Sequence, residues 1–330
     1  MDFRTRIPLE VSEKKISHDS VVLLLGSCFA ENMGQLMRDY KFPVLINPFG
    51  IQFHSMGIEN ALMRMYSCEH YTENEIFQNG DLFFSWDHSA HFSSPSKSKI
   101  LHHINNAIDS GNAVLQKANV TIITLGTAWV YKLVDAEYIV SNCHKVPARR
   151  FKKLLLPSYE ILGSLRRIVA LLQDVNPGME IIFTVSPVRH IKDGFVENNV
   201  SKGRLLNAVY EVVQETLAVS YFPSYEIVMD ELRDYRFYKD DFLHPNDQAL
   251  KYIWERFADV YFTTETQGLN DEIASVRRSL EHRPINPHSI AHKKFRFDTL
   301  KKLEQLAQEF PRGTFDVEIE FLKKQLHETH

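Results

Sequence analysis

The chain has 330 residues, 44% of them hydrophobic and 24% charged, with a formal net charge of −4 at pH 7. This composition is that of an ordinary globular protein and argues against nucleic acid or an anionic membrane as a partner. Three widely spaced cysteines argue against a disulfide framework, the N-terminus lacks an apolar signal segment, and no apolar run approaches the ~18 residues that span a bilayer. We therefore expect a cytoplasmic protein.

Short apolar runs alternate with amphipathic segments along most of the chain. The apolar runs predict buried strands at 21–25, 42–46, 120–125, 180–185 and 225–229. Apolar residues at helical spacing predict helices at 31–40, 55–66, 97–117, 158–175, 202–219 and 246–262. Strands that alternate with helices form βαβ units with right-handed crossovers. The sequence thus predicts an α/β fold, a three-layer α/β/α sandwich around a mostly parallel five-stranded sheet.

Two segments interrupt this alternation and one follows it. Turn signals and aromatic residues within 67–96 indicate a hairpin insertion, and 131–152 hold a second short β-prone stretch. The last part of the chain is purely helical in pattern. Its amphipathic stretches lie at 269–280, 297–310 and 317–326. We predict an α/β domain over 1–262 and a helical C-terminal extension over 263–330 that packs on the core or mediates homo-oligomerisation.

Ser27 stands where the first predicted strand gives way to a helix. In an open α/β sheet, active sites collect in the crevice at the carboxyl ends of the strands. A helix N-terminus at that point favours developing negative charge. The pattern therefore makes Ser27 a candidate nucleophile, and helix capping is the alternative role.

A serine nucleophile needs a base, and Asp241 and His244 after the last predicted strand offer one. Residues at i and i+3 lie side by side on a helical turn. The carboxylate can then hold the imidazole in one tautomer, and the other ring nitrogen is free to take the Ser27 proton.

Five blocks of the chain resemble the GSCFA family, a relative of the SGNH (GDSL-like) hydrolases. The blocks are Gly26-Ser27-Cys28-Phe29-Ala30, Asn47-Pro48-Phe49-Gly50, Leu125-Gly126-Thr127-Ala128-Trp129-Val130, Ser186-Pro187-Val188-Arg189-His190 and Asp241-Phe242-Leu243-His244-Pro245. The resemblance runs from about residue 9 to residue 262. It implies an SGNH-hydrolase or flavodoxin-like sandwich and a catalytic triad of Ser27, His244 and Asp241.

The resemblance also implies an oxyanion hole made by the backbone N–H groups of Ser27 and Gly50. The third block departs from the SGNH pattern, because Ala128 stands where an asparagine is expected and cannot donate. Three other residues could supply the further donor. These are Asn47, Thr127 and His190.

Several polar residues outside the triad have two readings. Arg189 and His190 follow the fourth predicted strand and either clamp an anionic group of a substrate or form a loop ion pair. Cys28 begins an apolar helix face, so we expect a buried, inert thiol. Clustered histidines lie near the first insertion, but they lack the spacing of a recognised zinc motif. We therefore expect no metal and no cofactor.

The sequence predicts a serine esterase that removes a small acyl group such as acetyl from a carbohydrate or similar alcohol. The alternatives are an acyltransferase that uses the same site and a non-catalytic member of the fold that binds a sugar or anion. A third reading makes the helical extension the functional part and the α/β body a scaffold. The expected partner is a carbohydrate or other small-molecule ester, with no nucleic acid and no membrane.

Overall fold

The computed structural model describes residues 5–327, which form a central sheet, two small sheets and the helices around them. The strands are β1 (Val22–Gly26), β2 (Val44–Ile46), β3 (Phe77–Asn79), β4 (Leu82–Phe84), β5 (Val120–Leu125), β6 (Trp129–Leu133), β7 (Ile139–Val140), β8 (Phe151–Leu155), β9 (Glu180–Val185) and β10 (Val219–Tyr221). The central sheet has the order β10-β9-β5-β1-β2, and all of its pairs are parallel. The predicted parallel five-stranded sheet is confirmed.

Helices cover both faces of this sheet. They are α1 (Cys28–Asp39), α2 (Ser55–Ser67), α3 (Lys97–Leu115), α4 (Ser158–Val175), α5 (Phe195–Glu215), α6 (Ser224–Glu226), α7 (Asp247–Tyr261), α8 (Thr264–Glu281), α9 (Ile290–Leu306) and α10 (Asp316–His327). None of the helices within residues 5–327 has the length and apolar character of a transmembrane segment.

Alternate residues of the strands pack into two separate cores. Leu23 and Leu25 of β1 face α2, α3, α4 and α5, whereas Val22 and Leu24 face α1 and α7. Successive side chains of a strand point to opposite faces, so a fully buried strand needs an apolar layer on each side. This arrangement is the predicted α/β/α sandwich, and it leaves the carboxyl ends of β1, β5 and β9 at one edge.

The fifth strand differs from the prediction. Residues 225–229 are helical, because α6 continues as a π-helix over Ile227–Glu231, and β10 is the edge strand instead. Ser224 fixes the start of this helical segment through a 2.9 Å hydrogen bond from its hydroxyl to the carbonyl of Val185. A short apolar run does not distinguish a buried strand from a buried helical turn.

Helix α5 also begins earlier than predicted, at Phe195 instead of residue 202. Its first two turns carry polar residues, among them Asn198 and Ser201, which broke the apolar periodicity in the sequence. Both side chains are buried, at 2% exposure each. They face the loops at the carboxyl edge of the sheet, as described below.

The first insertion contains the predicted hairpin, formed by β3 and β4 around Gly80. The second contains the small antiparallel sheet β7-β6-β8. Helices α8, α9 and α10 share a small apolar cluster of their own. They contact the end of α1, where Lys41 pairs with Glu318 at 2.5 Å.

Candidate active site

Ser27 occupies the sharp turn between β1 and α1. It is fully buried and caps α1, with its hydroxyl accepting a 3.2 Å hydrogen bond from the N–H of Phe29. Its own N–H donates to the carbonyl of Thr124 at 3.1 Å. The preceding Gly26 has φ 130°, and a side chain there would lie 2.1 Å from that carbonyl oxygen. The turn thus requires glycine and places Ser27 at the carboxyl edge of the sheet, beside a helix N-terminus.

Asp241 and His244 form a direct pair in the loop before α7. Asp241 Oδ2 lies 2.5 Å from His244 Nδ1, and Asp241 Oδ1 accepts hydrogen bonds from the N–H groups of Leu243 and His244 at 2.9 and 3.0 Å. These N–H groups and the imidazole lower the pKa of Asp241 to about 2. The predicted helical turn is wrong: Phe242 has φ 57°, and the carboxylate itself closes the turn.

The structure brings His190 close to both His244 and the buried ammonium of Lys202. Burial first, and then the charge of Lys202, lower the pKa of His190 to about 4; Asp193 opposes this and His244 adds a smaller lowering. The ring lies edge-on to Phe53, with centroids 5.2 Å apart. His190 is therefore held neutral at physiological pH and can donate or accept a hydrogen bond within this crevice.

Lys202 is a functional candidate that sequence reasoning missed. Its ammonium is buried and donates to the carbonyls of Gly126 and Ser186, at 2.7 Å each, so it joins the loops after β5 and β9. Burial lowers its pKa to about 7, and Cys28 opposes this shift. The sequence did contain a signal for this site, because Lys202 occupies a core-facing position in the row of apolar residues along α5. That row continues with Leu205, Val209 and Val212.

Ser27 and His244 are linked only indirectly, through the charges of Lys202 and His190. The charge of Lys202 acts on Cys28, the neighbour of Ser27, and also on His190, which in turn lies within electrostatic range of His244. Within residues 5–327, no hydrogen bond joins Ser27 to His244. Catalytic hydrogen bonds are often long or absent in ligand-free sites and form only with substrate.

Asn47 lies directly beside the nucleophile turn. Its side-chain oxygen accepts a 2.8 Å hydrogen bond from the N–H of Gly26, and its carbonyl accepts one from Gly50 at 2.7 Å. Because the N–H of Gly26 can only donate, the side-chain oxygen must face it, which fixes the orientation of the amide. The amide nitrogen is buried and has no hydrogen-bond partner among the described residues. A buried unpaired donor costs about 1–3 kcal/mol, which points to a ligand group.

Two of the other expected oxyanion donors, Gly50 and Thr127, have partners inside the protein. The N–H of Gly50 is used in the turn with Asn47, and that of Thr127 donates to the carbonyl of Phe53 at 2.9 Å. The Thr127 hydroxyl lies 3.1 Å from the hydroxyl of Ser201 and accepts a hydrogen bond from the N–H of Trp129. Thr127 therefore stabilises the loop between β5 and β6 through hydrogen bonds inside the protein.

Arg189 is half-buried and contacts the segment that follows α6. Its guanidinium donates to Asn199 Oδ1 and to the sulfur of Met229, at 3.2 Å each. No carboxylate pairs with it within residues 5–327, so the loop ion pair is not formed. Its charge lies near Lys202 and Tyr238.

Comparisons with known proteins agree with the blocks described above. The model of the GSCFA family matches residues 21–257, and the model of the GSCFA domain protein, C-terminal domain, matches residues 273–328. A search of curated proteins found no match.

Two solved structures are similar to this chain at low identity. One, assigned provisionally as a platelet activating factor from Streptococcus pneumonia, is 12% identical, with 72% of this chain and 83% of that chain covered. A carbohydrate esterase family 3 protein from Talaromyces cellulolyticus is 11% identical, with 76% and 98% covered. Both have a TM-score of 0.36, a likeness that indicates no activity. The family model, in contrast, spans most of the chain and all five blocks, and the chain therefore belongs to the GSCFA family.

Proposed function

We propose that the protein is a serine esterase in which Ser27 is the nucleophile, His244 the general base and Asp241 the residue that orients it. The observation that carries this proposal is the contact of Asp241 with Nδ1 of His244 at 2.5 Å. It fixes the ring and leaves Nε2 as the nitrogen that exchanges protons. This is the division of roles in serine triads, which are recognised by geometry and not by sequence order.

The reaction follows from these roles. Ser27 Oγ forms a bond to the ester carbonyl carbon while its proton passes to His244 Nε2. The tetrahedral intermediate then releases the alcohol, which takes the proton from His244. Water attacks the resulting acyl-enzyme with the same base. An acceptor hydroxyl in place of that water would turn the hydrolase into an acyltransferase.

We assign the oxyanion to the amide nitrogen of Asn47 and the N-terminus of α1. The N–H groups of Ser27 and Gly50 would first have to leave the carbonyls that they already bind. The amide nitrogen of Asn47 has no such partner. Gly26, whose N–H binds the side-chain oxygen of Asn47, directly precedes Ser27. The positive end of the α1 dipole adds to the stabilisation of the oxyanion.

Substrate entry requires a change in the loops above Ser27, because this residue has no exposed surface. The side chains of Asp241 and His244 are, in contrast, 45% and 39% exposed. We therefore place the movement in the loop that carries the pair. Its closure over a bound ester would bring Nε2 to Ser27 Oγ and exclude water.

Exposed aromatic rings beside His244 support a carbohydrate or similar alcohol as the leaving group. Tyr235 and Phe242 are 75% and 61% exposed, and their ring centroids lie 5.6 Å apart. The apolar CH face of a sugar ring packs on such aromatic faces, while its hydroxyls stay in water. The full burial of Ser27 favours a small acyl group such as acetyl.

The proposal is tested by ester hydrolysis with short-chain p-nitrophenyl esters and acetylated monosaccharides. We expect Ser27→Ala and His244→Ala each to lower kcat by about 10³-fold or more. Cys28→Ser is the matched control next to the nucleophile and should keep wild-type turnover. A folded Ser27→Ala variant with full activity would overturn the proposal, and loss of activity only in Cys28→Ser would move the nucleophile to the thiol.

A further inference from the structure

A thiol, an imidazole and a carboxylate meet at the surface where α2 ends beside α3. Asp109 Oδ1 lies 2.6 Å from His70 Nε2 and 3.7 Å from Cys68 Sγ. The three atoms are all within 4.8 Å of one another, and all three residues are exposed. None of them belongs to the candidate active site.

The loop that carries the thiol and imidazole is fixed on α3 from both sides. The Asn105 side chain accepts a 2.8 Å hydrogen bond from the N–H of Tyr71 and donates to its carbonyl at 3.1 Å. The Asn112 amide donates to the carbonyl of Met65 at 2.7 Å. Asn105, Asp109 and Asn112 lie at i, i+4 and i+7, on one face of α3. Asp109 therefore lies between two side chains that attach this loop to α3 by hydrogen bonds.

We propose that Cys68, His70 and Asp109 bind a Zn²⁺ ion, with water as the fourth ligand. Zn²⁺ takes sulfur, nitrogen and oxygen at about 2.0–2.3 Å in a tetrahedron, which separates its ligand atoms by about 3.3–3.7 Å. The sulfur–oxygen distance of 3.7 Å already fits this geometry. The nitrogen and oxygen need to separate by less than about 1 Å, because a proton now bridges them at 2.6 Å.

The donor set also selects the ion. Mg²⁺ and Ca²⁺ take oxygen ligands, whereas thiolate and imidazole together favour Zn²⁺ and its close relatives. Binding releases the Cys68 proton, and the His70 proton moves from Nε2 to Nδ1. Because Cys68 binds the metal as a thiolate, protons compete with the metal and affinity should fall as pH falls.

Sequence reasoning did not reveal this site, because Asp109 lies 39 positions from His70. Cys68 and His70 alone are a pair two residues apart and carry no recognised metal motif. The site also stands independently of the esterase proposal, because it shares no residue with that mechanism. The bound ion would fasten the end of α2, and the first insertion that follows it, to α3.

Titration of the metal-free, reduced protein with Co²⁺ tests the proposal, because cobalt replaces zinc and its bond to a thiolate absorbs in the near ultraviolet. We expect one Co²⁺ per chain, a thiolate-to-cobalt band, and loss of this band when Zn²⁺ is added. Mg²⁺ should not displace the cobalt. Absence of the band at saturating Co²⁺ would overturn the proposal.

Substitutions locate the ion. Cys68→Ser should abolish the band, and Asp109→Asn and His70→Ala should weaken Co²⁺ binding by at least about tenfold. Cys143→Ser, at a half-buried thiol elsewhere in the chain, is the matched control and should keep both band and affinity. Because the three ligands are exposed, the variants should fold, which circular dichroism checks. A band that persists in Cys68→Ser would place the metal elsewhere and contradict the assignment.

Discussion

Asn47 combines an unusual backbone with an unusual side chain. Its φ of 43° lies in the left-handed region, which Asn and Asp enter more readily than most residues. The side chain uses its oxygen to hold Gly26 and leaves a buried amide nitrogen without a partner. Structural capping alone would explain the oxygen but not the unpaired donor. An oxyanion that forms at Ser27 would give this donor a partner.

The substitution Asn47→Asp separates the two roles of this residue. The carboxylate keeps the backbone conformation and an acceptor for Gly26, but it removes the donor and adds negative charge where the oxyanion develops. We expect kcat for ester hydrolysis to fall about 10²–10³-fold, with a smaller change in KM. Steady-state kinetics measures this loss, and a thermal melt shows whether the fold is kept. A kcat close to that of the wild type would exclude Asn47 from the oxyanion hole.

Residue identity alone could not have singled out Asn47. In the sequence, Asn47 lies in the second block, and Thr127 and His190 in later blocks were equal candidates for the missing donor. Only three-dimensional geometry shows that the Thr127 hydroxyl is already paired and that the Asn47 amide is not. Lys202 was missed for the same reason, since its partners are backbone carbonyls that carry no sequence signal.

Among the elements, the first insertion is attached to the core through His88. This histidine has no exposed surface, and its ring stacks on Phe49 with centroids 4.3 Å apart. Neither ring nitrogen has a hydrogen-bond partner within residues 5–327. Burial lowers its pKa to about 3, with smaller lowering by other cationic groups. The insertion is therefore sensitive to acid.

The direction of this effect follows from proton binding. The unfolded chain protonates the histidine near its ordinary pKa of about 6.5, whereas the folded protein keeps it neutral to about pH 3. The unfolded state binds more protons between these values, so stability falls as pH decreases below 6.5. Between pH 7 and pH 5 the loss from His88 should be about 2 kcal/mol.

The variant His88→Phe should remove this part of the acid sensitivity while it keeps the aromatic stacking. Urea unfolding at pH 7 and pH 5 measures the loss of stability in each protein. We expect a smaller loss in the variant, by about 2 kcal/mol. Equal losses in the two proteins would mean that His88 titrates normally in the folded state.

Elements with a long, regular apolar pattern were predicted well, and those with short or polar patterns were not. Helix α4 has the predicted bounds, and β5 and β9 do as well. Helix α5 was predicted seven residues too late, because polar residues in its first two turns, such as Asn198 and Ser201, interrupt the apolar pattern. The strand expected at 225–229 is helical, because tertiary contacts and not local pattern decide so short a segment.

At the scale of the whole molecule, the helical extension and the candidate site lie at opposite ends of α1. Ser27 caps the start of this helix, whereas Arg277 of α8 pairs with Asp39 at its end, at 2.9 Å. A helix of 12 residues is about 18 Å long. This contact of the extension with the α/β body therefore lies far from the nucleophile.

Assembly of the site from distant parts of the chain is what local sequence patterns could not establish. The position of Asp241 and His244 after the last predicted strand predicts that they lie at the same edge of the sheet as Ser27, and this stays a prediction. The distance between nucleophile and base depends on loop positions, which substrate binding can change.

Labelling with a fluorophosphonate probe tests directly whether Ser27 is the nucleophile, because the probe reacts preferentially with an activated serine. We expect one label per chain, located on Ser27 by mass spectrometry, and no label in Ser27→Ala or His244→Ala. Cys28→Ser should be labelled as the wild type is. A folded wild-type protein that takes no label, or takes it on another residue, would contradict the proposed mechanism.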